Sequence, residues 1–368
     1  MSIKTKLIIG ALFLVQIGIL IWSIFDYESN KSPFEKRLEL YLENPESVKE
    51  LYLQGFELTS LPDEILQFEN VESINLSHNN FEKIPDILYK LPNLKRLNMS
   101  YNNLENIYLQ TFQSLVHINL SYNKITHFGR YSTNQQLKHI DLSHNQLASF
   151  PIIKFEMDTV NVSHNNLFNT HTIGIKISNT IQHLDLSNNN LYDFKSAKPI
   201  MEWCYSVDMS NNITLNGSAV SSTLFSEDFR VKKLFLNNCN FDYIEELPAS
   251  QLEVLDLGNN NLNITDELVH QLKLKSLNLK NQKLMNFTYF NLNLKELNLV
   301  DVLYDGDLNA PNLEILHISN KNIANLPDFP NLKTIYFYMM DNDKIDEIVF
   351  QLKYPTADIQ YRIINKTY

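Results

Sequence analysis

The stretch Leu184 to Leu191, LDLSNNNL, returns as INLSHNNF from Ile74, LNMSYNNL from Leu97 and LDLGNNNL from Leu255. Recurrence at about 20 to 24 residues marks a single supersecondary unit stacked many times, because such a unit cannot bury its apolar side without neighbours. This constraint overrides length, since 368 residues would otherwise suggest two ordinary domains. Aligned on L-x-x-L-x-L-x-x-N-x-L, the units run from Val48 to a last start at Leu332, fourteen in all, at intervals of 19 to 27 residues.

Within a unit, Leu184 and Leu186 alternate with Asp185, as a short strand does when one side faces a core and the other faces out. Where the chain leaves that strand, its backbone groups lose their sheet partners. A buried amide side chain, with two donors and an acceptor, can replace them. The slot is held by Asn79, Asn102, Asn123, Asn145, Asn165, Asn189, Asn212 and Asn260, which are therefore expected to form a structural asparagine ladder. Phe56, Cys239, Gln282, Val302, Lys321 and Met340 break it, so the array reads as regular from unit 2 to unit 7 and degenerate later.

These units resemble the leucine-rich repeat family over about four-fifths of the chain. The first two also carry the L-P-x-x-I continuation, as Leu61-Pro62-Asp63-Glu64-Ile65 and Ile84-Pro85-Asp86-Ile87-Leu88. The lead-in Asn44-Pro45-Glu46-Ser47-Val48 is similar to that of bacterial members. The resemblance implies an α/β fold: a curved right-handed solenoid with one parallel strand per unit on the concave face and loops or short helical turns on the convex face. It also implies recognition of a protein or other ligand at the cell envelope, without turnover. Two other roles remain open: a structural or adhesive surface scaffold, and a regulatory subunit of a membrane enzyme.

The ends follow other rules. Lys4 and Lys6 precede an apolar run from Leu7 to Phe25, whose nineteen residues would span roughly 28 Å as a helix, close to the hydrocarbon thickness. Residues 1–25 are read as a single-pass signal anchor with the N-terminus inside and the repeats outside the cytoplasm, or secreted if the segment is cleaved. Residues 26–47 form a linker and a capping helix, with Ser32 as N-cap, Pro33 at the first position and Glu35 closing a capping box. Phe34, Leu38, Tyr41 and Leu42 share a face of that helix and would cover the open first unit. Repeats occupy residues 48–340. Residues 341–368 are read as a C-terminal cap, a helix from Asp341 ended by Pro355 and a strand alternating Ile359, Tyr361 and Ile363.

Chemistry finds little support. No H-E-x-x-H, P-loop, G-x-S-x-G or C-x-x-C motif occurs, so no enzyme, cofactor or metal site is expected. A net charge of −11 excludes a nucleic-acid partner of the usual basic kind, and a protein partner is expected instead. Cys204 and Cys239 lie eight positions apart in stacked units, too far to bridge, and should be free buried thiols. Pairing the units sets His117 beside His139 and His144 beside His164 on the exposed strand face, with Asp141 nearby. A two-imidazole, one-carboxylate metal site is outweighed there by ordinary variable surface positions. The outward polar columns, Asn75, Asn98, Asn119, Asp141, Asn161, Asp185 and Asp208 in one and Ser77, Ser100, Ser121, Ser143, Ser163, Ser187 and Ser210 in the other, mostly follow consensus. Several begin N-x-S/T triplets on the presumed binding face, which tilts the source toward bacteria. Positions that break the columns are the candidate ligand contacts: Arg96, Tyr101, His117, Tyr122 and His139 early, and Lys233, Phe235, Ile315, His317, Tyr336 and Tyr338 late.

Overall fold

In the computed structural model the described residues are 16–21, 30–107, 109, 112–129, 136–151, 156–168, 181–192, 204–215, 230–242, 252–262, 273–284, 289–304, 307–319, 326–339 and 353–363. Among them, the alternation of each unit becomes one strand of a single 15-stranded sheet. Units 1 to 5 supply Glu50–Tyr52, Ser73–Asn75, Arg96–Asn98, His117–Asn119 and His139–Asp141. Units 6 to 10 supply Met157–Asn161, Ile181–Asp185, Cys204–Asp208, Lys233–Phe235 and Val254–Asp256. Units 11 to 14 supply Ser276–Asn278, Glu296–Asn298, Ile315–Ser319 and Thr334–Met339, and Asp358–Ile363 closes the sheet. Every pairing is parallel and in sequence order, with equivalent positions in register, as in Leu51↔Ile74 and Leu277↔Leu297. This is a parallel-sheet solenoid, as the repeat implied.

The core is a continuous column. Leu184, Leu186 and Leu191 are buried, as are their counterparts Leu97, Met99 and Leu104. Each fully buried leucine contributes about 1.5–3 kcal/mol, so stability accumulates unit by unit. Opposite the main sheet the chain returns through short 3₁₀ turns, Asp63–Gln67 and Asp86–Lys90. It also forms two-residue parallel strand pairs there, such as Asn106–Ile107 with His127–Phe128.

The N-terminal edge is covered by the helix Pro33–Leu42. Ser32 Oγ accepts from Glu35 N at 3.2 Å and Glu35 Oε2 accepts from Ser32 N at 2.7 Å, a complete capping box. Leu38 is buried, Phe34 meets Phe56 edge-on at 6.0 Å, and Tyr41 meets Phe68 at 6.3 Å. At the other edge Ile359 packs against the core.

Of the expected span from Leu7 to Phe25, residues 16–21 are described. They are helical, with Ile17, Ile19, Leu20 and Ile21 exposed. Among the described residues no helix is long and apolar enough to cross a membrane. The rest of that span, the expected helix from Asp341, the polar excursion through Asn216 and Ser222, and slots Lys321 and Met340 lie outside the described residues.

Candidate functional site

The sheet face is built by the turn that ends each strand. Asn75, Asn98, Asn119 and Asn161 each use Oδ1 to accept the N–H two residues on, from Ser77, Ser100, Ser121 and Ser163, at 2.9 to 3.0 Å. Asp141, Asp185, Asp208 and Asp256 make the same bond to Ser143, Ser187, Ser210 and Gly258. One side-chain oxygen is therefore committed to the fold in each of these eight units. What remains for a ligand is an NH₂ donor where the residue is Asn and an acceptor oxygen where it is Asp. Burial pushes the Asp208 and Asp256 carboxyls up.

Behind this column the asparagine slot closes the turn. Asn145 donates to Leu120 O and Leu142 O at 3.0 Å and accepts from Ile125 N at 2.9 Å, tying consecutive units together. Asn79, Asn102, Asn123, Asn165, Asn189, Asn212 and Asn260 repeat the pattern. Of the exceptions, Gln282 accepts from Leu262 N at 3.1 Å and donates to Leu257 O at 2.7 Å, so its longer amide still links two units. Cys239 donates through Sγ to Met209 O at 3.1 Å. The array is thus less degenerate in this stretch than the expectation held. The serine column needs correcting: Ser77, Ser100, Ser121, Ser143, Ser163, Ser187 and Ser210 are all buried inside the turn, 5 or 6% exposed, and cannot present a polar row to a ligand.

The residue just before the asparagine slot sits in the left-handed region, with φ of 53 to 59° at His78, Tyr101, Tyr122, His144, His164, Asn188, Asn211, Asn259 and Asn281. Asparagine suits that conformation, whereas a larger side chain pays about 1–2 kcal/mol for it. Units 2 to 6 place rings there, and the rings stack in one unbroken column. His78 to Tyr101 is 4.3 Å, Tyr101 to Tyr122 4.2 Å, Tyr122 to His144 4.0 Å and His144 to His164 4.0 Å, all within 21° of parallel. Each such contact returns about 0.5–1.5 kcal/mol, so stacking offsets the backbone strain. His144 and His164 therefore lie in the turn at the rim rather than on the strand.

A second stack lies on the strands, His117 on His139 at 3.9 Å and 6°. Burial, then His139 and Arg96, hold His117 below the usual imidazole range. His139 Nδ1 meets Thr159 Oγ1 at 2.9 Å, and its Nε2 lies 3.6 Å from Asp158. Parallel rings keep their nitrogens in separate planes instead of aiming them at one point. Among the described residues no group of His, Cys, Asp and Glu could hold a metal ion. Arg96 is engaged by Glu50 at 3.3 Å. Tyr52, Arg96, His117, His139 and the Asn column line a groove of about 570 Å³.

Residues 46–104 match the family model described as leucine rich repeat. Those residues carry leucine-rich repeats, and the solenoid of the described residues has the leucine-rich-repeat fold. Its fold is similar to the leucine-rich repeat domain of APL1, at 22% identity and a TM-score of 0.57 over 88% of this chain and 81% of that one. A leucine-rich repeat protein from Bacteroides eggerthii is similar at 17% identity and TM-score 0.53, covering 86% of this chain and 57% of that chain. The mouse RP105/MD-1 complex is similar at 15% and 0.52, covering 88% and 69%. At these identities the likeness is one of fold. No curated protein matches the chain.

The late repeats hold the remaining candidates, and they form a bonded cluster rather than a bare apolar patch. His317 Nε2 meets Glu296 Oε1 at 3.1 Å, its Nδ1 meets Tyr338 Oη at 3.3 Å, and its ring stacks on Tyr336 at 4.7 Å. Arg362 from the last strand lies 5.2 Å over Tyr336. Burial lowers the His317 pKa in spite of the Glu296 carboxylate. Ile315 is half-buried on the same strand. Lys233 and Phe235 stand apart on unit 9, Phe235 in register between Asp208 and Asp256.

Charge ladders are not legible in the sequence. Glu72 lies between Lys49 and Lys95, Glu253 between Lys232 and Lys275, and Glu314 between Lys295 and Lys333. The hydrogen bonds of the flanking lysines hold Glu253 and Glu314 down to about 2. The partners sit 19 to 23 residues apart, so only alignment of the units, one position before the strand's outward residue, would have shown them.

Proposed function

We propose that this protein is a non-enzymatic recognition module that binds a protein partner across its strand face, held at the cell envelope by the apolar run Leu7 to Phe25. The observation that carries the reading is the unspent hydrogen-bonding capacity of that face. In Asn75, Asn98, Asn119 and Asp141 one side-chain oxygen is committed to the turn and the other polar atom has no hydrogen-bond partner among the described residues, in register on a scaffold the asparagine ladder makes rigid. The arginine, histidines and tyrosines that flank the column are of the kinds enriched at protein interfaces. The buried thiols are poor nucleophiles: burial pushes Cys204 far up and Cys239 up to about 12. The mouse RP105 fold was solved with a protein partner, MD-1, which supports the same use here.

The test is capture of partners by chemically crosslinking cells that carry the full-length chain, compared with the exposed double variant Arg96→Glu/His117→Glu. The reading requires a protein partner that the variant loses. Equal capture by the variant, or a partner linked only through the opposite face, contradicts it. Intact-mass analysis of the mature chain tests the anchor, which is wrong if the chain begins near Asp26.

A further inference from the structure

The geometry points to a specific occupant for the groove over units 2 to 4: a proline-rich segment of the partner protein, laid along the stacking direction as a polyproline II helix. This rests on the strand-face reading above and goes beyond it. Asn75, Asn98 and Asn119 lie side by side in register. Each has spent its Oδ1 on a backbone N–H, so the column offers NH₂ donors alone. His117 stacks on His139 but makes no side-chain hydrogen bond among the described residues, and the three amide nitrogens likewise have no partner there.

The ligand must therefore be rich in acceptors. Charge decides which acceptors. Arg96 is already paired with Glu50, and Asp141 and Asp158 stand beyond His139, so the groove has no spare positive charge with which to draw a phosphate or carboxylate. Neutral carbonyl oxygens fit that balance.

Spacing then selects the backbone. Neighbouring strands lie about 4.8 Å apart, so alternate donors, those of Asn75 and Asn119, are roughly 9.6 Å apart. A polyproline II helix turns once in three residues of about 3.1 Å, placing carbonyls on one side every ~9.3 Å, with none used internally. A β-strand repeats at roughly 6.7 Å, and an α-helix satisfies all but its last four carbonyls itself. Proline also lacks an N–H, so it brings nothing that a donor-only column would leave unmatched. The Tyr52 ring, half-exposed at one end, and the His117 ring offer surfaces for pyrrolidine packing, the usual companion of such recognition.

The fold supplies its own isosteric control. Asp141, Asp185 and Asp208 make the same turn bond that Asn75 and Asn119 make, so Asn75→Asp/Asn119→Asp exchanges outward donors for acceptors while keeping the turn. The experiment titrates a decaproline peptide, and a glycine–serine decapeptide, into the full-length chain and this variant, with thermal melts of both. Expected are saturable binding of decaproline only, at least a tenfold loss of affinity in the variant, and little change between 50 and 300 mM salt. If the double variant melts early, Asn75→Asp alone is compared in its place. Absence of decaproline binding, or equal binding by the variant, overturns the inference. If the strand face still captures a protein that Arg96→Glu/His117→Glu loses, the recognition reading stands and only the choice of ligand has failed.

Discussion

Asn145 has no contact with solvent to speak of, yet it satisfies three backbone groups in two units. Asn145→Ala strands all three, so we expect a loss of about 2–4 kcal/mol in urea unfolding, well above the effect of removing an exposed Asn such as Asn80. Such slots were readable because the amide recurs at a fixed place in every unit. The ring column was not, because nothing in HNN, YNN or NNN announces a left-handed backbone until the units are stacked. It has a pH signature. Burial first, then His164, lowers the His144 pKa against an opposing pull from Asp141, and His117 is lowered by burial, His139 and Arg96 against Asp158. The unfolded chain, near 6.5, then binds more protons than the native one. Their contribution is complete above that value and is lost as pH falls through the lower native values. Urea midpoints should therefore drop between pH 7.5 and 5. His144→Asn, which installs the residue of Asn188 and Asn211, should reduce the drop without harm at neutral pH.

Elements follow from units, and here the sequence was informative: each L-x-x-L-x-L became a strand, and Ser32-Pro33-Phe34-Glu35 became a capped helix. Ser32→Ala should cost about 1 kcal/mol, read as faster amide exchange over residues 33–42 with the repeats unaffected. What could not be read was depth. Ser77 and its counterparts alternate like surface residues, but the turn bond made by the side chain two positions earlier draws them under the rim. The lysine–glutamate ladders were hidden for another reason, since partners one unit apart look like isolated charges. Exposed pairs contribute little each, so Glu253→Gln should leave the melting temperature almost unchanged while its flanking lysines lose their salt-sensitive attraction to it.

At the scale of the molecule, a stacked array has no global core, and its weak points are its ends. Removing residues 353–368 would uncover Ile335 and Phe337, both fully buried, along a row of unpaired strand edges. Concentration-dependent association on size-exclusion chromatography is expected. A partner bound across the strand face must shield that face from solvent. Hydroxyl-radical footprinting of the full-length chain, free and crosslinked to its captured partner, tests this most directly. Tyr52, Tyr101, Tyr122, His117 and His139 are expected to lose labelling, while Tyr89 and Leu66 on the return side keep theirs. Protection of Tyr89 and Leu66 with those five unchanged would contradict it.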